Sequence, residues 1–141
     1  MPDDESPRDP HEFIFELDRA IRDQVVAALG GSPLSPLARD VAPKRSGVYA
    51  LYFKDQLVYI GKASKGTTKS KRTLRDRLNE HVGKLGNRQN LSLEDMTCRF
   101  LTIESDWFVR AAELALIGVS QPAWNGSDQF DEAIPRNDYI F

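Results

Sequence analysis

The sequence predicts an α/β (α+β) domain, a small three-stranded sheet, mixed or antiparallel, flanked by helices. Three observations carry that expectation. Apolar side chains recur every four residues at Phe13, Leu17, Ile21, Val25 and Leu29, the spacing of one helix face. Two runs rich in β-branched and aromatic residues, Gly47 to Phe53 and Leu57 to Ile60, are separated only by Lys54-Asp55-Gln56, as in a β-hairpin. The order that follows, helix, strand, helix, with no internal repeat, suits a sheet covered by helices.

Each element has its own signal. Residues 1 to 10, with acids clustered at Asp3, Asp4 and Glu5 and prolines at 2, 7 and 10, have no apolar period and are expected to be a disordered tail. The helix of residues 11 to 29, widened by Ile14 and Ala28, should stop at Gly30-Gly31, and prolines 33, 36 and 43 then make an irregular connector up to residue 45. After the hairpin, Ala63 to Lys71 has no period. Thr73 is a candidate N-cap for a helix with Leu74, Leu78, Val82 and Leu85 on one face. Met96 to Glu104 alternates as a third strand would. Ser105 or Asp106 can cap a last helix, Trp107 to about Val119, that is apolar nearly all round and should be buried on most of its circumference; Gln121-Pro122 ends it.

Composition removes several classes of function. The chain of 141 residues is about one domain, and 40% apolar residues with 13 aromatics are enough for a core. No stretch approaches the roughly 20 apolar residues of a membrane span, and the acidic start is unlike a signal peptide. A cytoplasmic protein without membrane contact is expected. Cys98 is the one cysteine and the two histidines, His11 and His81, are far apart, which excludes disulfide scaffolds and zinc fingers.

Charge is uneven. The formal net charge is −2, yet residues 62 to 88 hold nine basic side chains against Asp76 and Glu80, a local charge of +7, leaving −9 elsewhere. That asymmetry marks a basic face for a polyanion, or a solvated lysine-rich loop. In the last helix Arg110 and Glu113 are three apart and could form a local ion pair. Alternatively Glu113 is a metal ligand, since Mg²⁺ accepts a single carboxylate with water and phosphate oxygens completing its shell. Arg77 and His81, four apart, project from one helix face with no obvious acid opposite. His81 could equally be a surface histidine. Tyr49 and Tyr59 lie on strands that a short turn brings side by side, where phenols also serve as ordinary packing.

Taken together, Gly47-Val48-Tyr49 and Tyr59-Ile60-Gly61-Lys62 resemble the paired motifs of the GIY-YIG nuclease superfamily, with Val48 in place of isoleucine. Further along, Arg77-Leu78-Asn79-Glu80-His81 is similar to the family's arginine- and histidine-bearing helix, Ala112-Glu113-Leu114 to its metal-binding glutamate, and Pro122-Ala123-Trp124-Asn125 to its closing asparagine. The resemblance spans about residues 46 to 126 and is greatest to the restriction-endonuclease branch. It implies a GIY-YIG domain over 46–126, with residues 127–141 as a C-terminal tail. The hairpin loop is short and only 16 residues follow Asn125, so the additions that read DNA sequence in such enzymes are expected to be reduced.

The resemblance implies a Mg²⁺-dependent (or Mn²⁺-dependent) DNA endonuclease using one ion held by Glu113. Tyr49 would be the general base, Tyr59 would orient the water and Arg77 would meet the charge on phosphorus. His81 would hydrogen-bond a tyrosine oxygen, and Asn125 would tether the catalytic helix or Glu113. Lys62, Lys65, Lys69, Lys71, Arg72 and Arg75 would follow the DNA backbone. A homodimer through the N-terminal helix is a further expectation. The rival readings are a non-cleaving nucleic-acid-binding or subunit-interaction module on the same fold, and a repair or mobile-element nuclease.

Overall fold

The computed structural model describes residues 10–14, 16–64, 72–88 and 91–125. The expectations for residues 1–9 and for the C-terminal tail lie outside them. The architecture is an antiparallel sheet of four strands with three helices. The strands are β1 (Ser35–Pro36), β2 (Gly47–Phe53), β3 (Gln56–Ala63) and β4 (Met96–Thr102), in the order β1-β4-β2-β3. The helices are α1 (Leu17–Gly31), α2 (Leu74–Gly86) and α3 (Asp106–Ser120). The strand that sequence reading lacked is β1, because two residues of a proline-rich connector have no detectable alternation. They pair with β4 at Thr97 and Cys98, a placement that proline tolerates on an edge.

Alternation along β2 divides the core in two. Val48, Ala50 and Tyr52 face α1 and α3, packing with Ile21, Val25, Leu29, Val109, Ala112 and Leu116. Tyr49 and Leu51 face α2, packing with Leu74, Leu78, Leu85, Met96 and Cys98. Gly47 is required by that sandwich: a Cβ there would stand 1.8 Å from the Leu101 carbonyl oxygen, so a side chain would push β4 off β2.

Three helix expectations are corrected. α1 starts at Leu17, not residue 11, so Phe13 and Ile14 lie before it, exposed. It runs through Gly30-Gly31, which cost helix propensity without ending it, and stops before Pro33. α3 is buried only along Val109, Ala112, Leu116 and Ser120, with Trp107 and Leu114 64% and 56% exposed. A small sheet offers one face to two helices, so each can bury only one stripe. Capping follows the sequence more closely. Thr73 and Asp76 form a reciprocal capping box on α2, and Ser105 accepts from the Phe108 N–H at the start of α3.

The hairpin turn is tighter than the three residues expected. Only Lys54 and Asp55 form it, both with positive φ (49° and 66°), the backbone of a two-residue type I′ turn. A two-residue turn alone would put Tyr59 opposite Ala50, on the α1–α3 face. The register instead shifts between Leu51 and Tyr52, with Tyr52 opposite Leu57 and Leu51 opposite Tyr59, so Val58 is an extra, bulged residue. A one-residue shift turns every later side chain over. The bulge therefore brings Tyr59 to the face that carries Tyr49.

Candidate active site

β3 is the outer strand of the sheet, and its free edge gathers the predicted residues. Along that edge every second backbone group is taken by one of them. Trp124 N–H donates to the Val58 carbonyl at 2.8 Å. The Asn125 amide grips Ile60 twice, its Oδ1 accepting from the N–H and its Nδ2 donating to the carbonyl, both at 2.7 Å. Arg77 Nε donates to the Lys62 carbonyl at 3.3 Å. The role expected for Asn125 is thus corrected. It tethers β3 next to the bulge, not α3 or Glu113, because a side-chain amide matches the N–H and C=O pair that an edge strand leaves open.

The phenols meet over Gly61. Tyr49 pairs directly with Gly61, and Tyr59, two residues before Gly61 on β3, lies diagonally across from Tyr49. The two rings are 6.0 Å apart, and each is within 5.5 Å of the His81 ring. A Cβ on Gly61 would come within 2.4 Å of the Tyr49 Cζ and hydroxyl and 2.8 Å of Tyr59 Cε2, so glycine opens the notch in which the tyrosine oxygens approach. His81 is buried, not a surface histidine, and its Nε2 shares a 2.8 Å hydrogen bond with the Tyr49 hydroxyl. Burial, then Arg77 and Lys84, lower its pKa to about 4. At neutral pH the imidazole is neutral, and its unprotonated ring nitrogen can accept a hydrogen bond.

The tyrosines differ in exposure. Tyr49 is wholly buried and Tyr59 half-buried. Burial, reinforced by the neighbouring Tyr59, holds the Tyr49 phenol well above its ordinary value, and burial also raises Tyr59 while Arg77 opposes it. A standing phenolate is therefore disfavoured at both.

Glu113 reaches the same edge from the opposite face of the sheet. α3 is pinned to the end of β3 by Ser64, whose hydroxyl donates to Asp106 at 2.7 Å. The half-buried Glu113 carboxylate feels Lys62, Arg110 and Arg77, and in turn raises the Tyr59 phenol. Burial is the largest influence on it and raises its pKa. Arg110 is exposed and makes no ion pair with Glu113 among the described residues. Among those residues no three of His, Cys, Asp and Glu converge on a point.

The predicted DNA-binding residues divide. Lys65, Lys69 and Lys71 lie outside the described residues. Arg72 is exposed, Lys62 half-buried, and Arg75 is turned inward, its Nε donating to the Ala42 carbonyl at 2.9 Å. One residue escaped sequence reading. Glu80 faces both Arg72 and Arg77, so Arg77 does have an acid opposite, and its i,i+3 spacing was the available signal.

Comparison with known families decides the lineage. Residues 55–135, more than half of the chain, match the model of the Eco29kI GIY-YIG domain. The chain belongs to the GIY-YIG nuclease family, within its Eco29kI restriction-endonuclease type. The match begins in the hairpin turn, so it includes Tyr59, Arg77, His81, Glu113 and Asn125, while Tyr49 lies upstream. Two solved structures also align with this nuclease domain, both point mutants of the GIY-YIG N-terminal endonuclease domain of UvrC from Thermotoga maritima, bound to the catalytic divalent cation. They share 23% and 22% identity over 75% of this chain and 94% of theirs, with TM-scores of 0.42 and 0.43. Likeness of that degree assigns no chemistry here. Comparison with curated proteins gives no match. A GIY-YIG nuclease domain takes DNA as its substrate, and no helix among the described residues is long and apolar enough to cross a membrane.

Proposed function

We propose that this nuclease is a divalent-metal-dependent endonuclease that hydrolyses DNA phosphodiester bonds at the outer edge of β3. The observation that carries the reading is the meeting, around Gly61, of two tyrosines and a neutral histidine on one face of the sheet, with a carboxylate on the other face whose charge acts on Tyr59. Glu113 offers a hard oxygen donor with no competing ion pair among the described residues, which suits Mg²⁺ or Mn²⁺. When bound, one such ion supplies Lewis-acid stabilisation of charge on the phosphate and leaving oxygen.

The chain's own residues divide the remaining work. Arg77, anchored to the Lys62 carbonyl, presents a planar fork to the phosphate oxygens. Tyr49 takes a proton from the attacking water as its own shifts along the hydrogen bond to His81 Nε2, in the tautomer protonated on Nδ1, and because His81 is a weak base that proton is held only through the step, so no free phenolate accumulates. Tyr59, the more accessible phenol, orients that water. Asn125 keeps β3 in the register that joins the two phenols. Lys62 and Arg72 follow the DNA backbone, with Lys65, Lys69 and Lys71 alongside in sequence. The exposed Phe13, Ile14 and Leu17 near the start of α1 would seat a second copy of the chain, which sedimentation velocity tests directly. We place the protein in the cytoplasm, where a DNA nuclease of this type would meet its substrate.

The deciding experiment is plasmid cleavage with Mg²⁺ or EDTA, followed by mapping of the product ends. Glu113→Gln keeps the shape of the side chain and removes the ligand charge. Cleavage should fall by about 10²-fold or more, with folding and DNA binding retained. Full activity of Glu113→Gln at ordinary Mg²⁺ would remove it from the metal site. Nicking by neither form would favour the non-cleaving binding module.

A further inference from the structure

Glu80 of α2 stands between two arginines, Arg77 on the same helix and Arg72 just before its N-cap. Its Oε2 lies 3.2 Å from Arg72 Nε and its Oε1 3.8 Å from Arg77 Nη1. Arg77 is also held from a second direction by the Lys62 carbonyl, which accepts from Nε at 3.3 Å. Two of the three guanidinium nitrogens are thereby engaged by different elements, α2 and β3. The plane cannot rotate about its Cδ–Nε bond without loosening one contact.

That restraint matters because of what an arginine loses when it is ordered. A long side chain with many rotamers gives up conformational freedom on being fixed. A fork already fixed in the free protein does not have to be ordered in the transition state. The side chains of Glu80 and Arg77 are 35% and 31% exposed, so water screens their attraction and the pair adds little to stability. Its effect is on direction.

We propose that Glu80 is a positioning residue for phosphodiester cleavage, holding the Arg77 guanidinium against β3 so that its fork is set before DNA arrives. The inference rests on the assignment of Arg77 to the phosphate. A carboxylate that merely offset local positive charge would act on DNA affinity and leave the bond-breaking step alone. A positioning carboxylate acts on that step through Arg77 and through no other residue.

The test is a cycle of Glu80→Gln and Arg77→Lys in the full chain, reading the single-turnover rate on saturating plasmid DNA with Mg²⁺ and the Kd for the same DNA in EDTA. Glu80→Gln should slow cleavage about tenfold, leave the urea midpoint in place, and leave Kd unchanged or tighter, since an anion has been removed from a basic face. Added to Arg77→Lys, which has no fork to orient, it should slow cleavage no further. An unchanged rate with tighter binding would overturn the inference. So would an equal slowing in both backgrounds, or loss of the folded state in Glu80→Gln. Wild-type cleavage by Arg77→Lys would instead sink the assignment of Arg77 itself.

Discussion

Tyr49 and Tyr59 differ in a way that their motif conceals: one is buried against His81 and the other is partly open. Tyr49→Phe keeps the ring and deletes the oxygen, so it should fold normally and cleave about 10² to 10⁴ times more slowly. Tyr59→Phe should cost no more than that. Inactivity of Tyr59→Phe alone would exchange the two roles. His81 adds a pH signature of its own. Its pKa falls from 6.5 to about 4 on folding, so between those values the unfolded chain binds more protons and stability rises with pH. Stability should drop progressively from pH 6.5 toward 4, by at most about 3 kcal/mol from this group. In His81→Gln, urea unfolding at pH 5 and 7 should show much of that dependence removed.

The hairpin of β2 and β3 combines a constrained turn with a bulge. Lys54 and Asp55 both adopt the left-handed region, which costs a non-glycine residue about 1 kcal/mol or more. Replacing the pair by Asn-Gly should stabilise the domain by roughly 1 kcal/mol without altering cleavage, as thermal unfolding would show. Gly61 is less forgiving. An added methyl group meets Tyr49, which is buried and cannot withdraw, so Gly61→Ala should destabilise by about 1 to 3 kcal/mol and depress cleavage through the displaced phenols. Normal stability and rate in Gly61→Ala would mean that the notch is slack.

Across the whole domain, the basic stretch is sorted by its partners. Arg45 pairs with Glu104 at 3.0 Å. Arg99 donates to the Ser32 carbonyl and lies over the Tyr52 ring, bracing the end of α1. Arg75 is held by the connector. We propose that DNA is met by the basic residues of 62–72. Each phosphate contact releases counterions, so log Kd should vary with log salt by about 0.9 per contact on duplex DNA. Replacing Lys69, Lys71 and Arg72 together by Ala should lower that slope by up to about three and weaken binding to different sequences alike. An unchanged slope would move the DNA path to Lys44 and its neighbours.

The helices, the hairpin and the order of site residues were legible in the sequence because they depend on periodicity and spacing, which are local. Leu74, Leu78 and Leu85 announce the buried face of α2, and Thr73 with Asp76 its cap, whatever the helix packs against. Other features depend on contacts between distant segments. Sequence reading could place Tyr49 and Tyr59 on paired strands, but only the bulge at Val58 decides that they share a face. Asn125 looks like a tether in any arrangement, yet its partner is Ile60 because the segment 122–125 folds back along an edge strand. The exposed side of α3 was misread for a similar reason, since apolar content reports what a helix could bury and not how much sheet is available to cover it. The Glu113 carboxylate acts on Tyr59 from α3, across the sheet from α2, because both lie by its outermost strand, β3.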